Sequence, residues 1–249
     1  MEVTTPPAKR IGVRAVIRET FSVYRQNAAA LIGSATALFL VVVVAGLLQD
    51  AGGIVLGLIS AVVQLVGYAI FVGFVVRLAQ DARDGKRDHS ASDLFSVATP
   101  ALLPLIGFGI LFGIGVGIGL LLLLVPGLVL LTFWSVGAPV IVIEEVGPID
   151  AFGRSLRLVR GDAWPIFGAL LVIFLIVLAA GLILAIGLFM AVLMMSGSLE
   201  GETPELEASI VSLIFSWTFT VLTAPLFALA ASVIYFDLGG GVPAETAAA

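Results

Sequence analysis

Residues 143–161 read IEEVGPIDAFGRSLRLVRG and hold most of the groups in this chain that could do chemistry. Glu144, Asp150, Arg154, Ser155, Arg157 and Arg160 crowd into one short segment. Carboxylates can exchange protons, arginines at spacing three can clamp a phosphate, and a serine can act as a nucleophile, but each role needs its own geometry. Glu144 and Glu145 are adjacent, so on a helix they point in different directions and do not oppose each other across a substrate. No base accompanies Ser155: the single histidine, His89, lies in the polar stretch GKRDHSASD, and the chain has no cysteine. Nucleophilic triads, thiolate chemistry and cysteine metal sites are thereby excluded. The acidic stretch LEGETPELE matches no calcium-loop spacing. We expect no metal, no cofactor, no nucleic acid and no enzymatic activity.

The same segment has a second reading, as an amphipathic helix over 148–161. Ile149, Phe152, Leu156 and Val159 share one face, while Asp150, Arg154, Arg157 and Gly161 lie opposite. Asp150 and Arg154 stand four residues apart, the spacing of a helical ion pair. An apolar stripe flanked by bases is the pattern of a helix lying at a membrane surface. Its partners would be anionic lipid headgroups, at about 1 kcal/mol per base near the surface.

Composition supplies the membrane. Of 249 residues, 60% are hydrophobic and 12% charged, and the mean hydropathy is +1.19. A soluble domain is roughly 45–50% apolar and about 25% charged, so lipid must solvate most of this chain. Strand-length alternation is absent, and backbone in hydrocarbon must then be helical. The hydrophobic pattern predicts an all-α integral membrane protein with six spans: 28–48, 54–76, 101–124, 126–143, 165–195 and 209–235. The third and fourth come from one long apolar stretch, divided at Pro126-Gly127. Pro225 marks a kink in the sixth. A second amphipathic helix is predicted at 10–26, with Val13, Ile17, Phe21 and Tyr24 on one face. Residues 77–99 read as a polar loop with a short amphipathic segment, and 238–249 as a flexible tail.

All twelve Lys and Arg fall before span one, between spans two and three, or between spans four and five. The intervening loops hold only Asp50, Glu200, Glu202, Glu205 and Glu207 as charges. The positive-inside rule then places both termini in the cytoplasm of a bacterial inner membrane. The order of amphipathic segment, span, turn and span recurs three times, and TFSVYRQNAAALIG at 20–33 shares Phe-Ser-Val and Leu-Ile-Gly with LFSVATPALLPLIG at 94–107. Three pseudo-repeats follow.

Within the spans the candidates are packing groups. The third carries three overlapping GxxxG patterns, 109/113, 113/117 and 115/119, of which Gly109, Gly113 and Gly117 are singled out as the packing stripe. Small residues there let helices approach closely, inside the monomer, in a homo-oligomer, or around a broken helix lining a cavity. Gln64 is the strongest polar group within a span, and an interhelical hydrogen bond is expected for it. Trp134 is deep enough to pack between helices.

The segment PVIVIEEVGPIDAFGRSLRLVRGDAW, with VPGLVLLTFW before it and APLFALAASVIYFDL at the end, resembles the membrane domain of the glycerophosphoryl diester phosphodiesterase family and related bacterial six-span proteins. The matching positions are Pro126, Gly127, Pro139, Glu144, Ala151, Ser155, Leu158, Gly161, Tyr235 and Asp237. The resemblance implies an integral membrane module. With the residue reading, it leads to the expectation of a non-enzymatic protein with a structural or regulatory role, or a partner of other membrane components. The alternative is a transporter or permease-like module for a lipid or amphiphile.

Overall fold

The computed structural model describes residues 11–85, 99–195 and 205–240. These residues are almost entirely helical, with no strand among them. The helices are α1 (Val13–Gln26), α2 (Ala28–Asp84), α3 (Leu102–Leu122), α4 (Leu124–Phe133), α5 (Gly137–Glu144), α6 (Pro148–Val159), α7 (Ala163–Met195) and α8 (Glu205–Asp237), with a 3-10 turn at Thr99–Ala101 before α3.

Helical geometry is continuous along α2 for 57 residues, yet Gly53 has φ +66°. That left-handed residue reverses the chain. Gly67 consequently faces Leu38 and Val42, and Phe39 meets Phe71 at 5.7 Å. The two arms are the first two of six helical stretches long and apolar enough to cross a membrane: Ala28–Gly46, Gly53–Asp84, Leu102–Leu122, Leu124–Glu144, Ala163–Met190 and Leu213–Asp237.

Several boundaries differ from the sequence reading. The second arm of α2 runs through Arg77 to Asp84 and ends on Gly85 at φ +68°, so the first third of the expected loop at 77–99 is helix. Arg77 and Arg83 are held there by side-chain partners on neighbouring elements. The remainder of that loop, 86–98, with His89 and the short amphipathic segment, lies outside the described residues, as does the tail from 241. The break between spans three and four falls at Leu123, which is extended at φ −161° and ψ 138°. Pro126 is instead the third residue of α4, within the first turn, where no amide hydrogen is required. Span four is itself interrupted: Trp134, Ser135 and Val136 separate α4 from α5. Pro225 lies inside a continuous α8.

Burial concentrates in spans four and six, where 44% and 50% of the most apolar stretch is enclosed, against 17–22% for the other four. Val136, just before α5, and Val140, Ile141 and Val142 of α5 pack with Ile166 and Ile173 of α7 and with Ala230, Val233, Ile234 and Tyr235 of α8. A second cluster joins Leu31, Ala35, Phe71, Phe74 and Val75 of α2 to Val221 and Leu229 of α8. The turn-side ends of the spans stay uncovered by protein: Leu121 is 87% exposed and Ile54 84%. Lipid is the solvent that fits such a surface.

The glycines of α3 sort by contact. A methyl group at Gly119 would stand 2.9 Å from Cα of Gly127, and one at Gly115 would stand 2.6 Å from the Trp134 ring. Gly109, Gly113 and Gly117 have no atom within that reach. The 115/119 pair, not 109/113/117, forms the close packing face inside the chain, because α4 approaches α3 on the former side. Gln64 is likewise corrected: its Nε2 donates to Ser60 Oγ at 3.1 Å, one turn back on its own helix. An i−4 hydroxyl is within local reach, so no second helix is needed. Trp134 does pack between helices, 4.6 Å from Phe152 and 6.4 Å from Phe112.

Gly119→Ala is expected to lower stability by about 1–3 kcal/mol, because backbone must move to admit the methyl. Gly113→Ala is expected to be neutral or slightly stabilising. Unfolding in mixed micelles measures both, and equal losses would refute the assignment of the packing face.

Candidate functional site

The residues singled out between α5 and α7 fold into a polar knot. Gly147 adopts an extended conformation and Pro148 supplies the first residue of α6, where its missing amide hydrogen is not needed. α5 ends at Glu144, and Glu145 takes a left-handed conformation at φ 53°. That position is unusual for a residue with a β-carbon. It turns the chain sharply and folds α6 back against α5. Arg154 then faces Glu144 ten residues away: its Nε donates to Oε1 at 3.1 Å and to Oε2 at 3.0 Å. Oε1 also accepts from the hydroxyl of Tyr235, at 3.0 Å. Tyr235 is fully buried. One carboxylate therefore joins α5, α6 and α8, whose residues lie 91 positions apart.

Arg154 was expected to pair with Asp150, one turn earlier. The structure gives it to Glu144, because α6 packs along α5 and brings a carboxylate that can take Nε on both oxygens. Asp150 stays exposed in the first turn of α6, where a negative charge suits the helix dipole. Arg157 and Arg160 are exposed as well.

The faces of α6 are also reassigned. Ala151, Ser155 and Val159 are completely buried. Phe152 stacks 4.5 Å from Phe108. Ile149 is 75% exposed and Leu156 41%. The packed face is thus the small-residue side, since only small side chains admit α6 close to α4 and α5. Ser155 has a specific task there: its hydroxyl donates to the carbonyl of Phe133 at 2.8 Å. The break at Trp134–Val136 frees carbonyls at the end of α4, and Ser155 satisfies one of them. Ser135 and Thr132 bond locally in the same stretch, to the carbonyls of Thr132 and Leu128. Ser155 is therefore occupied as a cap and not poised as a nucleophile.

A second polar cluster sits at the same end of the bundle. Arg83, near the end of α2, pairs with Asp237 of α8 and, at 3.1 Å, with Glu19 of α1. Its guanidinium lies 5.5 Å from the Phe236 ring centroid. The gap beside it, bounded by Glu19, Ala79, Arg83, Val233 and Phe236, has a volume of about 50 Å³, room for a water or two. Arg77 bonds Gln80 at 3.2 Å and approaches Glu145 at 3.8 Å. Tyr24 donates to the carbonyl of Leu222 at 3.0 Å, and burial raises its pKa, which keeps the phenol a donor.

Of the positions carried by the resemblance, the structure unites Glu144 with Tyr235 and draws Asp237 to Arg83. The partners Glu19, Arg77 and Arg83 were not singled out from sequence. Each is a charged residue in a segment read as loop or surface helix, and no local spacing links one to another. Among the described residues no cluster of metal-ligating side chains occurs.

Glu144→Gln is expected to cost about 1–2 kcal/mol, since the Tyr235 bond survives and the ion pair does not. Tyr235→Phe removes one hydrogen bond, about 1 kcal/mol. The double variant is expected to lose less than the sum, because both changes act on one carboxylate. Strict additivity in thermal unfolding would dissolve the knot as a unit.

Neither a curated protein nor a solved structure matches the chain. Among protein families, residues 50–238 match the Domain of unknown function (DUF7847), whereas the glycerophosphoryl diester phosphodiesterase family does not match. The matched stretch runs from the reversal in α2 to the residue after Asp237, so it encloses Glu144, Arg154, Tyr235 and the Arg83–Asp237 pair, and the chain belongs to the DUF7847 family.

Proposed function

We propose that this chain is a non-enzymatic, multi-pass module of a bacterial plasma membrane. Its role is structural or regulatory, exercised through another membrane component or a second copy of itself. The observation that carries this reading is the use made of its reactive groups. Glu144, Arg154 and Tyr235 engage one another, Arg83 engages Glu19 and Asp237, and Ser155 caps a broken helix. Groups so committed hold helices together; a reaction would have to break those ties. The likeness of the Glu144, Ser155 and Tyr235 segments to the membrane domain of the glycerophosphoryl diester phosphodiesterase family fits a module of this kind. The alternative, a permease-like path for an amphiphile, has its best support in the sparse packing of four of the six spans. The polar groups that would line such a path instead bond their own helices, Gln64 to Ser60 and Thr220 to the carbonyl of Ser216.

The positive-inside pattern supports cytoplasmic termini. The repeated order of amphipathic helix and hairpin supports descent from a triplicated unit, with α1 and α6 as two of its three lead helices.

Extraction of the tagged chain in native membrane discs is expected to yield a stoichiometric membrane-protein partner or a self-assembly. Substrate uptake by proteoliposomes, or hydrolysis of a glycerophosphodiester by the purified chain, would overturn the reading. For topology, cysteine introduced at Ser198 is expected to react with an impermeant maleimide from outside the cell, and cysteine at Ser90 only after lysis. The chain has no native cysteine to interfere. The reversed pattern would invert the orientation.

A further inference from the structure

We infer that the outer surface of α6, with the start of α7, is a binding site for the phosphate-bearing headgroup of an anionic lipid. The inference names a partner for the membrane module proposed above and rests on the reading of α6 as an interfacial helix.

Depth comes first. A methyl group at Gly107 would stand 3.4 Å from Cγ of Pro148, and Phe152 stacks on Phe108. Gly107 and Phe108 lie five and six residues past the start of α3 at Leu102. At 1.5 Å per residue, α6 therefore packs about 8–9 Å along that span. Helices bound at a membrane interface sink about 5–10 Å. Span three has 21 residues, about the length of the hydrocarbon core, so little of its start projects beyond the membrane.

Chemistry comes second. At that depth α6 turns Ile149 and Leu156 away from the protein, at 75% and 41% exposure, and Trp164, in the first turn of α7, is 82% exposed. Water would be a poor solvent for this group, and acyl chains a good one. The tryptophan suits the headgroup boundary. Arg157 and Arg160 are exposed next to the apolar patch. Arg154 bonds Glu144 through Nε, and no described residue accepts from its terminal amino groups. Its side chain remains 35% accessible, so a phosphate could bind it without breaking the knot. Apolar anchors beside guanidinium donors match a lipid with acyl chains and an anionic head. A soluble phosphate would have no use for Ile149 and Leu156, and an acidic protein would have to enter the bilayer to reach them.

The test uses the full chain in discs of equimolar phosphatidylglycerol and phosphatidylcholine, followed by quantification of lipid retained through mild detergent washing. The native chain is expected to retain phosphatidylglycerol preferentially. Arg157→Gln with Arg160→Gln is expected to cut that preference roughly fivefold per arginine. An unchanged preference, or its abolition by inorganic phosphate at modest concentration, would overturn the site. A nitroxide on Ile149→Cys supplies a readout independent of the arginines. Its relaxation is expected to follow oxygen rather than a water-soluble nickel chelate; the opposite order would put α6 in water and end the proposal. A stoichiometric protein found seated on α6 would also end it. None of these outcomes bears on the proteoliposome and hydrolysis assays, so the two readings fail separately.

Discussion

The carboxylate of Glu144 is the interaction on which the remaining architecture turns. It accepts from Arg154 Nε on both oxygens and from the Tyr235 hydroxyl on one, so α5, α6 and α8 converge on two oxygen atoms. A carboxylate with only 22% of its side chain accessible would be costly if left alone. Supplied with a guanidinium and a phenol, it becomes specific: its two oxygens take donors from α6 and α8 at once. The left-handed turn at Glu145 makes the geometry attainable, since it sends α6 back along α5 instead of outward. A strained non-glycine residue persists where its surroundings hold it in place, and here the knot on one side and the buried Ala151–Ser155–Val159 face on the other do so.

The bilayer explains why polar ties carry so much of the specificity. Between helices in lipid there is little hydrophobic drive, because acyl chains are as apolar as leucine. Close backbone approach and hydrogen bonding must do the selecting. The chain uses both, the polar ties at one end of the bundle and close backbone approach along the α3–α4 hairpin toward its turn. Gly119 meets Gly127, Gly115 admits Trp134, and Trp134 in turn receives Phe152 from α6. Interrupting span four at Trp134–Val136 lets these rings interleave. Its cost in unpaired carbonyls is met in part by Ser155. Arg83, with Glu19 and Asp237, repeats the logic for α1, α2 and α8. Toward the opposite ends of the spans, where no such ties occur among the described residues, helices expose Leu121 and Ile54 to the surroundings.

Membership in the DUF7847 family covers the region that contains both polar clusters, while α1 lies before it. Glu19 is thus an element from outside the matched region that completes the Arg83 cluster. That arrangement makes α1 a clasp on the family's domain: its Val16 and Thr20 are fully buried, and Tyr24 reaches the backbone of α8.

Six helices apolar enough to cross a membrane, the helical character of the described residues and the amphipathic helices at 13–26 and 148–159 were legible from sequence, because hydrophobic length and helical period are local quantities. So was the packing of Trp134 between helices, since a large aromatic in the middle of a long apolar stretch has helical neighbours within reach. Three matters were decided only by tertiary structure. Arg154 chooses Glu144 over Asp150, since the choice depends on how α6 docks and not on i,i+4 spacing. Of the GxxxG pairs the sequence offers, 115/119 packs within the chain and 109/113/117 does not, since a GxxxG pattern states which residues share a face but not where the neighbouring helix lies. The pairing of Glu144 with Tyr235 joins residues 91 positions apart. Periodicity decays within a few turns, whereas the partner of a buried charge is set by which helices the whole bundle brings to one end.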